Sequence, residues 1–203
     1  MPGFMFHHAA TGYGGNGTLC GALGVSSALI NLVAYDEETL AHYHMIQALM
    51  HWYEGTMFPS QRYDHLSKRP GQVQVLADSP LCHISVTQWA LAAGVEVDSD
   101  DKYERCAKTA ADVVYTTVGY INKYYEGHGI VDNFNPDFEM KVCLSCHTAD
   151  SYFAGYSGGS NTQMGRLQCS GCHSNHMAPL FERVNRRIPG RFDPGKFDPS
   201  QFE

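Results

Sequence analysis

The chain has 203 residues, of which 43% are hydrophobic and 17% charged, so it can build a globular core and is neither disordered nor collagen-like. Its formal net charge of −7 argues against nucleic acid or an anionic membrane as the main partner. Seven cysteines and eleven histidines are a large number for this length, and both residue types bind metal ions. Composition therefore favours metal chemistry.

No stretch of the sequence supplies the ~20 uninterrupted apolar residues that a membrane-spanning helix needs. The longest candidate, residues 19–35, is interrupted by glycine, serine and asparagine. The first eight residues lack the basic start and the long apolar stretch of a signal peptide. We expect a soluble protein without a transmembrane segment, whose export signal has been removed or lies before the first residue given.

The N-terminal part is predicted to be helical. After a glycine-rich run at residues 12–17, the small and apolar side chains of residues 20–34 follow the helical period and predict a buried helix. The acidic residues 36–38 predict the start of a second helix, because acid is favoured at a helix N-terminus. This helix is expected to stop at Gly55.

Two further helices are expected before residue 130. The shorter covers residues 85–93 and ends at Gly94. The longer begins at a cap formed by Asp98 or Ser99. Its apolar residues recur every three or four positions and predict a buried stripe formed by Tyr103, Cys106, Ala107, Ala110, Val113, Val114, Val118, Ile121 and Tyr125.

The C-terminal part has a different composition. Beyond residue 136 the helical period disappears, and Gly, Ser, Asn, Cys and His accumulate over residues 141–177. Such a segment has too few apolar side chains to fold around itself, so it needs a bound cofactor as its core. The tail repeats a short unit that contains Phe192, Phe197 and Phe202, and is either a disordered polar tail or an extended arm that inserts these rings into a neighbour.

The predicted fold class is therefore mainly α, in two parts. A helical domain is expected over residues 1–130. An irregular segment with an extended C-terminal arm is expected over residues 131–203. This segment contains two motifs that indicate haem binding. These are two copies of Cys-x-x-Cys-His, formed by Cys143, Cys146 and His147 and by Cys169, Cys172 and His173.

The Cys-x-x-Cys-His sequence is the attachment site of c-type haem, in which two thiols bond covalently to the vinyl groups and the histidine ligates the iron. A pair of zinc knuckles is the alternative, but it leaves the histidine after both cysteine pairs unexplained. We therefore predict two covalent haems c per chain, with His147 and His173 as proximal ligands. Because the motifs are close in sequence, we expect the haems to lie near one another and to exchange electrons rapidly.

Each iron needs a sixth ligand if the protein is a saturated electron carrier and not a catalyst. Most of the nine remaining histidines are expected to be surface or hydrogen-bonded residues. The candidate distal ligands are the adjacent pair His7 and His8, His42 of a helical pair, and His176, which follows the second motif too closely to turn back onto that haem but can reach another. Thioether ligands are the alternative and would come from Met140, Met164 or Met177.

Three cysteines lie outside the haem motifs: Cys20, Cys82 and Cys106. Cys20 and Cys82 come just before predicted helix starts, where the helix dipole favours a thiolate. Cys106 lies on the apolar stripe, so three small buried hydrophobic residues are an alternative interpretation. A disulfide with one free thiol is another.

These cysteines carry a resemblance to a known family. The glycine-rich run that leads into Cys20-Gly21-Ala22-Leu23-Gly24, followed by Pro80-Leu81-Cys82-His83 and Glu104-Arg105-Cys106-Ala107, is similar to the helical C-GCAxxG-C-C redox family. A domain of this kind joined to two C-terminal haem motifs resembles the split-Soret cytochromes c over essentially the whole chain.

The resemblance implies a homodimer with two c-haems per subunit in stacked pairs near the interface. It also implies bis-histidine ligation, with one ligand from the partner subunit, and an iron–sulfur centre at Cys20, Cys82 and Cys106. The helical family usually has a further cysteine upstream of the glycine-rich run, which this chain lacks. The fourth ligand is then a histidine, a non-protein group or a residue that precedes the sequence given.

We therefore expect a cytochrome that carries electrons between redox partner proteins in the periplasm of an anaerobic bacterium, because covalent haem attachment takes place outside the cytoplasm. Haem supplies the redox chemistry, and the protein sets its ligation and burial. The main competing hypothesis is an oxidoreductase that uses an open haem iron or the cysteine centre on a small substrate. A third is a haem-based redox or gas sensor.

Overall fold

The computed structural model describes residues 3–132 of the chain. The helices are a 3-10 helix at Gly3–Ala9, α1 (Ala10–Tyr13), α2 (Gly21–Ala34), α3 (Ala41–Glu54), a second 3-10 helix at Gln61–Leu66, α4 (Cys82–Ala93) and α5 (Asp100–Tyr125). Strands β1 (Met57–Phe58) and β2 (Val75–Leu76) pair antiparallel. The mainly α fold predicted for the helical domain is confirmed. The C-terminal segment lies almost entirely outside the described residues, and the division into two domains stays a prediction.

Helices α2, α3 and α5 pack against one another around the core. On α2 the side chains of Leu23 and Ile30 are fully buried, and on α3 those of Met45, Leu49 and Tyr53 are. Within each helix these residues are four, seven or eight positions apart, so they share one face. Full burial of each large apolar side chain stabilises the fold by about 1.5–3 kcal/mol.

The N-terminal segment lies directly on the first turn of α2. A Cβ atom on Gly21 would be 2.2 Å from the carbonyl oxygen of Ala9, and one on Gly24 would be 1.9 Å from Oη of Tyr13. Only glycine permits such a close approach. The N-terminal segment therefore packs on the start of α2, whose N-cap residue is Cys20.

Most predicted helix boundaries agree with the structure. Helix α5 begins after Ser99, whose Oγ accepts a 3.3 Å hydrogen bond from the backbone N–H of Lys102. The start of α3 is a correction, because Asp36 forms a turn and not a helix: its Oδ1 accepts hydrogen bonds from the backbone N–H groups of Glu38 (2.8 Å) and Thr39 (3.1 Å). Helix α4 starts three residues earlier than predicted, at Cys82.

The predicted apolar stripe of α5 is not its buried face, which is a second correction. Val113 is buried, but much of the stripe is exposed: Tyr103 by 57%, Val114 by 53%, Val118 by 49% and Tyr125 by 66%. The buried positions are mostly polar or charged, namely Lys102, Arg105, Lys108, Thr109, Asp112 and Thr117.

The chain between β1 and β2 makes this polar burial favourable, because it brings partners to α5. Lys108 Nζ donates a 2.7 Å hydrogen bond to Oδ1 of Asp64. Ser60 Oγ donates a 2.7 Å hydrogen bond to Oδ1 of Asp112. Buried charges that are paired and hydrogen-bonded avoid most of the cost of leaving water.

None of the helices in residues 3–132 combines the length and the apolar character required to cross a membrane.

Candidate metal centre

Backbone hydrogen bonds hold Cys20 and Cys82 on neighbouring segments. The N–H of Cys20 donates to the carbonyl oxygen of Pro80 at 2.8 Å, and the N–H of Cys82 donates to that of Thr18 at 2.7 Å. The two bonds enclose an isolated antiparallel bridge. Cys20 is the N-cap of α2 and Cys82 the first residue of α4, so the N-termini of two helices lie side by side.

Cys106 of α5 completes the set of three cysteines. All three are free thiols and half-buried. Burial first, and then the neighbouring Cys20 and Cys106, raise the pKa of Cys82 to about 11, although Arg105 and Lys102 partly offset the increase. The thiols are therefore close enough for their charges to interact.

The raised pKa of Cys82 corrects one expectation. The sequence predicted that the helix dipole would favour a thiolate at this residue. Burial and the two other thiols outweigh the dipole, so Cys82 is protonated at neutral pH. A metal ion that binds here has to displace this proton.

A buried polar network lies beside the cysteines. Tyr53 of α3 has no exposed surface, and its hydroxyl is 3.2 Å from Oγ of Ser85 on α4. Burial first, and then the neighbouring Cys20, raise the pKa of this hydroxyl well above its usual range. Tyr53 is therefore a neutral phenol against the cysteine site.

Arg105 precedes Cys106 on α5 and is only 2% exposed. Its Nη2 donates to Oγ of Ser85 at 2.6 Å and to the carbonyl oxygen of Ser85 at 3.3 Å. Its Nε is buried and has no hydrogen-bond partner in the described part of the chain. The sequence analysis missed Tyr53, Ser85 and Arg105; the arginine directly before a candidate ligand was the signal available.

Across residues 3–132, no three side chains of His, Cys, Asp or Glu converge closely enough to hold a metal ion as they stand. The three cysteines therefore do not form a ready-made metal site in this part of the chain. The donor set fits a thiolate-ligated iron centre in ligand type, because sulfur ligands select such metals. The unpartnered Arg105 Nε also fits, because a thiolate centre is anionic.

The predicted haem ligands fall mostly outside the residues that the structure describes. These are the attachment residues Cys143, Cys146, Cys169 and Cys172, the proximal ligands His147 and His173, and the distal candidate His176. Their roles stay predictions. Within the described range, His7 and His8 lie exposed in the first 3-10 helix, and His42 lies half-buried in α3.

Hydrogen bonds distinguish two of these histidines. Nδ1 of His8 lies 2.8 Å from the carbonyl oxygen of Met5, to which it can only donate. That arrangement leaves Nε2 for a metal, as in most metal-ligating histidines. Nδ1 of His42 accepts from the backbone N–H of Asp36 at 3.3 Å, so the neutral ring carries its proton on Nε2. In the neutral tautomers that these bonds select, Nε2 is unprotonated in His8 and protonated in His42.

His51 of α3 is a histidine that the sequence analysis did not select. Its Nδ1 is 2.7 Å from Oδ1 of Asp132, and its side chain is 6% exposed. A carboxylate fixes the ring orientation and the tautomer of a histidine in this way.

Three comparisons with known proteins show what the chain is similar to. Residues 4–120 match the model of the C_GCAxxG_C_C family, described as "Putative redox-active protein". The split-Soret cytochrome c of Desulfovibrio desulfuricans (strain ATCC 27774 / DSM 6949 / MB) is 31% identical over 172 residues, which cover 83% of this chain. The match spans 58% of the length of that curated relative.

A solved structure of the split-Soret cytochrome c from Desulfovibrio desulfuricans ATCC 27774, described as having "a novel iron centre", also resembles the chain. The TM-score is 0.71 at 28% sequence identity. The superposition covers 88% of this chain and 72% of the other.

Proposed function

Because this chain belongs to the C_GCAxxG_C_C family, we propose that it is a redox protein that carries electrons through covalent haem and a cysteine-bound iron centre. The resemblance to split-Soret cytochrome c that the sequence indicated is confirmed. The proposal rests on one observation. Cys20 and Cys82 lie at adjoining helix starts, and Cys106 is close enough to raise the pKa of Cys82.

The iron centre is proposed at Cys20, Cys82 and Cys106. Three thiols supply soft ligands, and the relative's solved structure is described by its iron centre, which supports this assignment. Burial keeps the metal-free Cys82 protonated, so occupancy is expected to fall as the pH is lowered and protons compete with the metal.

The two haems are proposed at the Cys-x-x-Cys-His motifs. Haem and iron supply one-electron chemistry when bound, and the chain supplies their ligands. His147 and His173 are the proposed proximal ligands, and His8 is the distal candidate that its hydrogen bond to Met5 supports best. Because covalent haem attachment takes place outside the cytoplasm, a periplasmic location is proposed, with electron exchange between the protein and redox partner proteins.

A homodimer is proposed because the resemblance to the split-Soret cytochromes c implies one. The exposed apolar side chains of α5, defined here as the α5 apolar face (Tyr103, Val114, Val118 and Tyr125), support it. An apolar patch of this kind on a folded domain favours association. At least one distal haem ligand is then proposed to come from the partner subunit.

The experiment that tests the function is a reductive titration of the purified protein with and without carbon monoxide. An electron carrier with six-coordinate haems is expected to accept two haem electrons per chain and to leave its reduced spectrum unchanged by the gas. A haem oxidoreductase or gas sensor has an open iron, and would bind carbon monoxide readily. Rapid gas binding by both haems would therefore contradict the proposed role as an electron carrier.

A further inference from the structure

Arg105 is a buried cation that has no carboxylate partner in residues 3–132. It is 2% exposed, and its hydrogen bonds in this range go to Ser85, a neutral residue. A guanidinium does not lose its proton inside a protein, so it cannot relieve the cost of burial by becoming neutral. An unpaired buried charge is among the most destabilising features that a fold can contain.

Two other buried charged residues of α5 have partners in the segment that covers this helix, and a third, Lys102, has its Nζ 3.6 Å from the ring centroid of Tyr103. Lys108 Nζ is 2.7 Å from Asp64 Oδ1, and Asp112 accepts hydrogen bonds from Ser60. The partners of Lys108 and Asp112 both lie between β1 and β2. Arg105 differs because its neighbours are thiols and a phenol: its charge acts on both Cys82 and Tyr53.

Positive potential accumulates at the same place. Cys20 caps α2, which has 14 residues, and Cys82 begins α4, which has 12. Each helix N-terminus carries roughly half a positive charge. They add to the charge of the buried guanidinium, whose Nε–H has no hydrogen-bond partner among residues 3–132.

We propose that Arg105 is a positioning residue that balances the negative charge of the metal centre held by Cys20, Cys82 and Cys106, and that it raises the reduction potential of that centre. This inference rests on the proposed iron centre. Three thiolates bring three negative charges, and one-electron reduction by an added reductant brings one more. A nearby fixed cation stabilises the more negative, reduced state, because net charge and hydrogen bonds to sulfur set the potentials of such centres.

The alternative is a purely structural arginine that joins α5 to α4 through Ser85. Both roles predict some loss of stability when the side chain is removed. Only the electrostatic role predicts a change in the reduction potential of the metal centre. Only that role predicts that lysine restores the potential, because lysine keeps the charge but cannot reproduce the two bonds to Ser85.

The experiment uses the full chain with haem and iron, and measures the potential of the non-haem centre by electron paramagnetic resonance during a dithionite titration. Arg105→Met is expected to shift this potential to a more negative value, and Arg105→Lys is expected to restore most of it. Lys108→Met is the matched control, because it removes a buried cation from the same helix, one with its own carboxylate partner. It is expected to leave the potential unchanged.

An unchanged potential in an iron-loaded Arg105→Met protein would overturn the inference, and so would an equal shift in Lys108→Met. If Arg105→Met folds and keeps its haem but loses non-haem iron, retention of iron by Arg105→Lys supports the inference. Loss of iron from both Arg105 variants, and equally from Ser85→Ala, would indicate the structural role. Wild-type protein without non-haem iron would instead refute the proposed iron centre itself, which is a separable result.

Discussion

Cys20 and Cys82 are far apart in sequence, yet each begins or caps a helix and their segments are joined by two backbone hydrogen bonds of 2.8 and 2.7 Å. Gly21, which follows Cys20 directly, lies against the N-terminal segment. The carbonyl oxygen of Ala9 occupies the space that a Cβ of Gly21 would need. The position of the candidate metal centre is therefore linked to a packing requirement outside it.

Gly21→Ala is expected to destabilise the protein by about 1–3 kcal/mol, because the added methyl group cannot avoid a backbone atom. Chemical denaturation measures this change. Gly119→Ala on α5 is the control: nothing lies within 4 Å of its added Cβ, so a gain of about 0.5–1 kcal/mol is expected from helix propensity. Equal stability of Gly21→Ala and wild type would contradict the close packing.

The ion pair of Asp64 with Lys108 predicts a dependence of stability on pH. The hydrogen bond from Lys108, together with one from the backbone N–H of Gly71, lowers the pKa of Asp64. A carboxylate with a lowered folded-state pKa stabilises the fold above its unfolded pKa of about 3.9, and this contribution is lost as the pH falls through the folded value. Asp64→Asn is therefore expected to be less stable than wild type at pH 7.

The difference between wild type and Asp64→Asn should shrink as the pH approaches 2, as measured by denaturant unfolding at several pH values. Asp98→Asn is the control, because Asp98 is exposed and no hydrogen bond to it is found in the described range. A constant difference between Asp64→Asn and wild type from pH 7 to pH 2 would disprove the linkage.

The α5 apolar face predicts the surface of the proposed homodimer. Val118→Lys places a charge on this face and is expected to lower the mass in solution from that of a dimer to that of a monomer, as measured by light scattering. Leu91→Lys introduces the same side chain at an exposed apolar position of α4, outside this face, and should stay dimeric. Val118→Lys dimers as stable as wild type would exclude this face as the interface.

If ligation crosses the dimer, the Val118→Lys monomers should also contain five-coordinate, high-spin haem. Absorption and resonance Raman spectra report this change. Monomers with fully six-coordinate bis-histidine spectra would show that one chain supplies all the ligands.

Covalent haem attachment is a further prediction. Denatured wild-type protein should retain two haems per chain, and Cys146→Ala or Cys172→Ala should weaken attachment at one site each. Mass spectrometry after acid–acetone extraction measures the retained haem. Extraction that removes all of it would contradict the assignment of both motifs.

Local sequence signals predicted the helices but not which face of α5 is buried. The serine cap at Ser99 and the glycine that ends α4 at Gly94 act on neighbouring residues, so they can be recognised without the rest of the fold. The partner of Lys108 is Asp64, a distant residue in sequence. Periodicity assigns lysine and aspartate to the solvent face, and only the tertiary structure shows which of them find partners.

The sequence likewise predicted some parts of the candidate site and not others. The three cysteines could be selected because they lie outside the haem motifs and match the family pattern. The bridge between the segments before α2 and α4 brings Cys20 and Cys82 together. The position of Arg105 near the cysteines follows from the burial of the polar face of α5. Neither feature has a local sequence signature.

The most direct test of the central claim is the non-haem iron content of wild type, Cys106→Ser and Ala107→Ser, measured with haem content on the same samples. Ala107 is exposed beside Cys106, so its substitution by serine controls for the introduced hydroxyl. Wild type and Ala107→Ser are expected to contain iron in excess of haem together with acid-labile sulfide, and Cys106→Ser to lose both while keeping its haem. Iron equal to haem in wild type, with three titratable thiols, would contradict the account.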